Sequence, residues 1–168
     1  MASSFSSPSS SKKVVLQSSN KEFFSVDENS ARLSQTLKHI IEDLEIGDSN
    51  NFIPVPNVDA KILSKVIEYC NKHVVPVSPE FKTTEDEIKQ WDKDFLKVDQ
   101  DTLIQLILAS NYLGIKGLLD LTCQAIADIM QSKTAEEVRK MFNIVNDFTS
   151  EEEAEIQREN EWAFDDYE

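Results

Sequence analysis

Glycine and histidine are scarce in this chain, which has three glycines and two histidines among 168 residues. The glycines Gly47, Gly114 and Gly117 are too few and too scattered to form a phosphate-cradling loop or a nucleophile elbow. The histidines His39 and His73 lie 34 positions apart, so they lack the paired spacing of a zinc-dependent hydrolase. Acidic residues occur in runs that are typical of solvated helix faces rather than of paired catalytic carboxylates. We therefore predict that the protein is not an enzyme, with a small enzyme whose site is unrecognised as an alternative.

Cysteine is also scarce, since Cys70 and Cys123 are the only two. Both lie in apolar helical patterns, which is typical of reduced, packed thiols in a cytosolic or nuclear protein; a disulfide is the alternative. Cys70 and His73 have the spacing of half a metal site, but a closed zinc site takes about four ligands and Cys123 alone does not complete one. We predict no metal and no cofactor.

Basic residues are outnumbered by acidic ones, 17 to 31, which gives a net charge of −14. Nucleic-acid binding needs clustered lysine and arginine, and anionic membrane surfaces also attract basic segments, so neither partner is expected. Long apolar runs are missing too: no segment approaches about 18 uninterrupted apolar residues, the length that predicts a membrane span. Residues 1–11 are mostly serine and lack the apolar core of a secretory signal.

Two short β-branched and aromatic runs near the N-terminus predict a β-hairpin. Val14–Ser18 and Glu22–Val26 are separated by Ser19–Lys21, which has the composition of a short turn. Phe52–Pro56 is also apolar, but proline cannot donate to a strand ladder, so this run is predicted to be an edge strand or an extended segment. The serine-rich leader, residues 1–12, is predicted to be disordered.

The rest of the chain is predicted to be mostly helical, which makes the fold class α+β, mostly α. Apolar residues recur at helical spacing in 30–44 (as one helix or two), 59–74, 102–113 and 115–130. The segment 102–113 is almost wholly apolar and is predicted to be the central, most buried helix, with Asp99 or Asp101 as its N-cap. Residues 76–90 are predicted to be a loop, and a short amphipathic segment follows at 91–97.

The C-terminal part carries two capping boxes, Thr134–Glu137 and Thr149–Glu152, each of which predicts a helix start. Ser150–Glu168 holds nine acidic residues and one base, yet it also carries Trp162 and Phe164. A strongly charged terminal helix rarely has a core of its own. These aromatic side chains are therefore expected either to fold back on the domain or to meet a partner.

Seven motifs along the chain resemble those of one protein family. They are LQSS (16–19), PVPNV (54–58), WDKDFLKVDQ (91–100), LILASNYL (106–113), IKGLLD (115–120), FNIVNDFT (142–149) and ENEWAF (159–164). Because they occur in the same order and span about residues 13–165, the chain resembles the SKP-type (S-phase kinase-associated) adaptors of the SCF ubiquitin ligases. Its Trp-Ala-Phe ending is similar to that of the plant members.

The resemblance implies a BTB/POZ-type domain with a small β-sheet, followed by a C-terminal helical extension. It divides the chain into the N-terminal part of the BTB/POZ-like domain (13–75), a variable loop (76–90), the remaining BTB/POZ-like helices (91–130) and an F-box-binding extension (131–168). It further implies a non-enzymatic adaptor that bridges a cullin scaffold to F-box substrate receptors, for ubiquitination and proteasomal degradation. The cullin would bring in a RING-type protein, and the expected localisation is the nucleus and the cytoplasm.

The resemblance also implies two sets of contact residues. The cullin-binding residues are Asn111 and Tyr112. The F-box-binding residues are Ile107, Leu118, Leu119, Phe142, Ile144, Phe148, Trp162 and Phe164. Each set has an alternative interpretation. Leu118 and Leu119 also have the spacing of core residues, and Asn111 and Tyr112 also fit an ordinary helix end.

The sequence departs from the family pattern at a few positions. Val145 stands where the family usually has lysine, Glu161 stands where it usually has glutamine, and Asp165–Glu168 follow the usual end. The added apolar residue and negative charge are expected to narrow the set of receptors. The competing interpretation of the whole chain is a self-associating BTB-like scaffold without cullin binding, although such a scaffold has no need of the segment 142–164.

Overall fold

The computed structural model of the chain describes residues 12–43, 52–74 and 84–161. Within these ranges the chain forms three strands and eight helices, and it divides into two compact units at Ala127–Asp128. The predicted fold class, α+β with mostly helix, is confirmed. No helix in the described ranges is both long enough and apolar enough to pass through a membrane. Nearly all of the predicted leader, together with Trp162 and Phe164, lies outside the described residues.

The predicted hairpin is present as strands β1 (Lys13–Gln17) and β2 (Phe23–Asp27), which pair antiparallel with Val15 opposite Ser25. Its turn is closed by Ser18, whose hydroxyl oxygen accepts a hydrogen bond from the Glu22 amide at 3.0 Å. Lys21 adopts a φ of +69°, a left-handed conformation that lets the chain reverse within a few residues.

The proline-containing run forms the edge strand β3 (Phe52–Pro54), which pairs parallel to β1 in a sheet of order β2-β1-β3. An edge strand tolerates proline because the side that faces away from the sheet needs no amide donor. Ile53 points into the core at 2% exposure, while Phe52 faces outward. The prediction of an edge strand is confirmed.

In the described chain the helices are α1 (Glu28–Ala31), α2 (Gln35–Asp43), α3 (Ala60–His73), α4 (Glu85–Phe95), α5 (Gln100–Leu113), α6 (Lys116–Gln131), α7 (Ala135–Met141) and α8 (Ser150–Glu159). Five of these helices, α3, α4, α5, α7 and α8, begin at a residue whose side chain caps the first turn. The stripe predicted over 30–44 is split in two, and Asp99 is the N-cap of α5, since its carboxylate accepts from the Thr102 amide at 2.8 Å. Both capping boxes, at Thr134 and at Thr149, are formed.

Helix α4 corrects one prediction. It begins at Glu85, inside the segment 76–90 that the sequence predicts to be a loop. The cause is a third capping box, in which Thr84 accepts from the Glu87 amide and the Glu87 carboxylate accepts from the Thr84 amide at 2.9 Å. The prediction of a loop rests on the prolines before this point. The capping box formed by Thr84 and Glu87 is equally visible in the sequence.

The core of the first unit is formed by the inner sides of the three strands and by residues from α1 to α6. Helices α3 and α5 each contribute six buried residues, so α5 is a core helix as predicted but shares that place with α3. Leu106 is fully buried, whereas Leu108 is 64% exposed. Leu108 is thus the part of this apolar helix that the core leaves uncovered, because a helix placed on one side of a core cannot bury every face.

An aromatic cluster links α3 to α4. Within α3 the ring of Tyr69 stacks on His73 with centroids 4.0 Å apart, and within α4 Trp91 stacks on Phe95 at 4.9 Å. Between the two helices, the ring centroids of Tyr69 and Phe95 are 6.0 Å apart and those of His73 and Trp91 are 5.9 Å apart. His73 Nε2 also lies 2.8 Å from a carboxylate oxygen of Asp92. The contacts between the two helices hold α4 against α3 within the first unit.

The two cysteines are free, but they do not share an environment. Cys70 is buried in α3, and burial raises the pKa of its thiol to about 12. Cys123 is exposed on α6. The prediction of packed thiols therefore holds for Cys70 and is wrong for Cys123, which lies on the outward side of an amphipathic helix.

Candidate partner-binding surfaces

The predicted cullin-binding pair lies in the last turn of α5. Asn111 and Tyr112 are both exposed, Tyr112 at 39%. Leu108 lies one turn earlier, and at 64% exposure it is the most exposed large apolar residue of α5. A position four residues before Tyr112 falls on the same helix face, so the two side chains form a continuous apolar surface.

This surface borders a pocket of about 330 Å³ between α5 and the start of α3. Its lining comes from both helices and from the turn before α3, and consists of Asn57, Val58, Asp59, Ile62, Gln105, Leu108, Ala109 and Tyr112. Val58, Ile62 and Ala109 are buried and form the floor, while Leu108 and Tyr112 are exposed at the rim. A mostly apolar pocket with a few polar groups at its edge is suited to receiving a side chain of another protein. We name it the α5 pocket.

The end of α5 is fixed by residues that the sequence analysis did not select. The Ser34 hydroxyl donates to the Leu113 carbonyl and accepts from the Leu37 amide, and the Thr36 hydroxyl donates to the Tyr112 carbonyl at 3.1 Å. The start of α2 therefore supplies partners for carbonyls that the helix end leaves unpaired. Ser34 could be predicted to cap α2, but the partners of Ser34 and Thr36 in α5, 76 or more positions away, leave no local signal.

Gly114 ends α5 in a conformation that requires glycine. Its φ is +65°, in the left-handed region, and a Cβ there would lie 3.2 Å from the Gln35 Cβ. The turn thus combines a local conformational demand with close packing against α2. It sets the direction in which Tyr112, two residues earlier, is presented.

Three of the predicted F-box-binding residues lie in the first unit. Ile107 and Leu119 are half-buried, while Leu118 is completely buried and belongs to the core cluster. The core-packing alternative therefore accounts for Leu118, because a side chain with no exposed surface cannot touch a partner without rearrangement. Contact of Ile107 and Leu119 with a receptor stays a prediction.

Three further predicted residues lie in the second unit, in or beside the linker between α7 and α8. Phe142 is half-buried, Ile144 is 56% exposed and Phe148 is 48% exposed. Val145, next to Ile144, is 82% exposed, although valine is normally a core residue. We name Ile144, Val145 and Phe148 the linker row. Trp162 and Phe164, the remaining two predicted residues, lie outside the described part of the chain.

Polar contacts surround the linker row. A carboxylate oxygen of Glu153 in α8 accepts from Arg139 in α7 at 3.1 Å and from the side-chain amide of Asn146 at 2.7 Å. At the helix starts, hydrogen bonds from the backbone and hydroxyl of Thr134 and of Thr149 hold the pKa of Glu137 and of Glu152 below its usual value. These carboxylates thus stay ionised near the positive ends of their helices.

Neither surface carries a recognisable reactive centre. In the described residues, no three histidine, cysteine or acidic side chains are grouped so that they could hold a metal ion. The half-site suggested by Cys70 and His73 is used otherwise, since Cys70 is buried and His73 pairs with Asp92. What the described chain presents is apolar surface with polar edges, which is suited to protein–protein contact.

Comparison with known proteins identifies the family. Residues 12–75 match the model described as the Skp1 family tetramerisation domain, and residues 116–163 match the Skp1 family dimerisation domain. SKP1-like protein 1A of Arabidopsis thaliana is 53% identical over 93% of this chain and 99% of its own length. The chain belongs to the Skp1 family. The resemblance seen in the motifs is therefore confirmed, and the first unit contains the family's POZ domain.

Other Skp1-family relatives match as fully. SKP1-like protein 1 of Oryza sativa subsp. japonica is 53% identical over 92% of this chain and 96% of its own length. A relative from Dictyostelium discoideum, named SCF ubiquitin ligase complex protein SKP1a, is 50% identical over 90% of this chain and 96% of its own length. The similarity thus spans both units, and it extends to a relative outside the plants.

Proposed function

We propose that this Skp1-family protein is a non-enzymatic adaptor of an SCF ubiquitin ligase. It would join a cullin scaffold, and through it a RING-type protein, to F-box substrate receptors that deliver proteins for ubiquitination and proteasomal degradation. The observation that carries the proposal is the presence of two separate exposed apolar surfaces, the α5 pocket and the linker row, in a chain of this family. A relative named as an SCF ubiquitin ligase complex protein supports the assignment.

We assign the two surfaces to different partners. The cullin would contact the α5 pocket through Asn111 and Tyr112, and the receptor would contact the linker row together with Ile107, Leu119, Phe142, Trp162 and Phe164. Leu118 would support the receptor side only indirectly, as a fully buried core residue of the helix that carries Leu119. The protein itself would hold its partners in place without any chemistry of its own, in the nucleus and the cytoplasm.

The test is reconstitution from purified parts. The full chain is mixed with a cullin N-terminal domain and with an F-box peptide, separately and together, and the complexes are separated by size-exclusion chromatography with light scattering. We expect each pair to form and a ternary complex to appear when all three are present. Trp162→Ala should weaken receptor binding and leave cullin binding unchanged. Failure of the chain to bind either partner would contradict the proposal.

Self-association is the competing function, and the two matched family models are described as tetramerisation and dimerisation domains. A scaffold of that kind would use the exposed apolar surfaces to bind a second copy. The same light-scattering measurement on the chain alone decides between the two. A stable homodimer without cullin affinity would favour the scaffold.

A further inference from the structure

The second unit contains a three-way polar contact, of which only one residue, Asn146, lies in the motifs. A single carboxylate oxygen of Glu153 accepts one hydrogen bond from Arg139 Nη1 at 3.1 Å and another from Asn146 Nδ2 at 2.7 Å. Arg139 belongs to α7, Asn146 to the linker and Glu153 to α8. One side chain thus connects three consecutive segments, and we name these three residues the clamp.

The clamp continues into the backbone of the linker. The side-chain oxygen of Asn146 accepts from the Phe148 amide at 3.2 Å, and the carbonyl of Arg139 accepts from the Ile144 amide at 2.8 Å. Asn143 has a φ of +53°, a conformation that asparagine tolerates better than most residues. Both ends of the linker row are therefore bonded to clamp residues, and Val145 projects between them.

Apolar burial does not explain why the linker holds this shape. No described residue from 128 to 161 is buried, and the three members of the linker row are exposed at 56%, 82% and 48%. A segment without a core is held by its hydrogen bonds and helix caps, or it samples many conformations. In this linker the side-chain hydrogen bonds converge on Glu153 and Asn146.

We propose that Glu153 is a positioning residue that holds the linker row ready for the receptor. Binding a mobile segment costs the entropy of ordering it, so a linker that is already fixed binds more tightly with no additional contact. The inference rests on the proposed function, since it concerns how the receptor-binding segment is presented. This role requires no contact between Glu153 and the receptor.

The competing explanation is that the Arg139–Glu153 pair is an ordinary surface ion pair. Arg139 is 25% exposed and Glu153 39% exposed, and ion pairs at such positions contribute little. An ordinary pair would be sensitive to salt and would leave the linker unaffected when broken. The two explanations therefore differ in the behaviour of the linker amides, which can be measured directly.

The matched variants are Glu153→Ala and Glu151→Ala. Both remove one carboxylate from the first two turns of α8, so the change in net charge and in helix-dipole interaction is similar. Glu153→Gln is the conservative variant, because its amide oxygen can still accept from Asn146. Asn146→Ala breaks the clamp from the linker, outside any helix, and so tests it without altering α8.

Two measurements are made on each full-length variant: the affinity for an F-box peptide and the hydrogen exchange of the amides from Ile144 to Phe148. We expect Glu153→Ala and Asn146→Ala to weaken peptide binding about threefold to tenfold and to speed amide exchange, as the loss of one or two hydrogen bonds implies. Glu151→Ala should stay within about twofold of the unaltered chain, and Glu153→Gln should recover most of the affinity. Cullin binding should not change in any of them.

The outcomes separate the clamp from the proposed function. If the unaltered chain does not bind the peptide, the proposed function fails, while amide exchange in the variants still decides whether the clamp orders the linker. If circular dichroism shows that Glu153→Ala unfolds α8, the role of the clamp is tested by Asn146→Ala alone. If Asn146→Ala and the unaltered chain have the same peptide affinity and the same rates of amide exchange, the proposed role of the clamp is wrong.

Discussion

The two units of this protein use their apolar residues in opposite ways. In the first unit these residues form a closed core from three strands and parts of six helices, with Leu63, Leu106 and Leu118 fully buried. In the second unit no described residue from 128 to 161 is buried, and several of its large apolar side chains, Ile144, Val145 and Phe148 among them, are exposed. Composition alone does not explain why the first unit has a core and the second does not, because both units contain leucine, isoleucine, valine or phenylalanine at helical spacing.

The two units are stabilised by different forces. Burial of an aliphatic side chain contributes about 1.5–3 kcal/mol, so a core with many such residues folds by the hydrophobic effect. The second unit relies instead on capping boxes and side-chain hydrogen bonds, which contribute about 1 kcal/mol each. Its exposed apolar residues therefore serve some purpose other than its own folding.

The largest expected effect is on folding stability, and it should differ between the two units. Leu106→Ala should lower the free energy of unfolding by about 2–5 kcal/mol, because it leaves a cavity in the core. Ile144→Ala in the linker row should change it by no more than about 0.5 kcal/mol, because that side chain is already in water. Urea unfolding of the two variants, followed by circular dichroism, measures both. Similar losses in the two variants would mean that the linker row is part of a core.

The next effect concerns binding rather than folding. Asn111→Ala combined with Tyr112→Ala should weaken cullin binding by about 1–2 kcal/mol or more, as truncation of an interface tyrosine does. Receptor binding should survive, because neither Asn111 nor Tyr112 is among the residues assigned to the receptor. Calorimetric titration with each partner gives the two affinities. Equal loss of both partners would point to misfolding instead of a cullin contact.

A smaller effect tests the local forces that hold the second unit. Thr149→Ala removes the N-cap of α8, whose hydroxyl accepts from the Glu152 amide, and should cost that helix about 0.5–2 kcal/mol. Thr149→Ser keeps the hydroxyl and is the matched control. Amide exchange in α8 should accelerate in the alanine variant alone, with no change in α3 or α5. If amide exchange accelerates throughout the chain, the stability of the second unit does not depend on local contacts of its own.

Much of the fold follows from patterns that the sequence displays. The hairpin, the edge strand with its prolines and the N-caps at Asp99, Thr134 and Thr149 depend on residues close together in the chain. The start of α4 also has a local cause and could have been found from Thr84 and Glu87. Local hydrogen bonding and hydrophobic periodicity therefore account for most element boundaries.

The sites were harder to predict, for a physical reason. The motifs place Asn111 and Tyr112 at the end of α5, but the support from Ser34 and Thr36 comes from contacts across 76 or more positions. Burial of Leu118 likewise depends on which face of α6 meets the core, and spacing alone leaves that open. Tertiary contacts of this kind have no periodic signature.

The smallest expected effect concerns acid stability in the first unit. A hydrogen bond from Arg32, aided by the nearby Lys12, holds the pKa of the Glu28 carboxyl below its usual value of 4.5, although partial burial opposes the shift. A carboxyl whose pKa is lower in the folded state adds stability above its unfolded pKa, and that stability disappears as the pH falls through the folded pKa. Glu28→Gln should thus cost less than about 1 kcal/mol at neutral pH, and the cost should shrink as the pH falls below the usual carboxyl pKa of 4.5.

The measurement is urea unfolding of Glu28→Gln and of the unaltered chain between pH 7 and pH 3. Glu42→Gln is the control, because Glu42 also bonds Arg32, at 3.0 Å, but is 45% exposed against 15% for Glu28. The better-screened Glu42 pair should contribute less at every pH, since water weakens the attraction between exposed charges. If Glu28→Gln and Glu42→Gln have the same pH profile, burial does not strengthen the Glu28 pair. If the cost of Glu28→Gln persists unchanged at pH 3, its origin is packing and not charge.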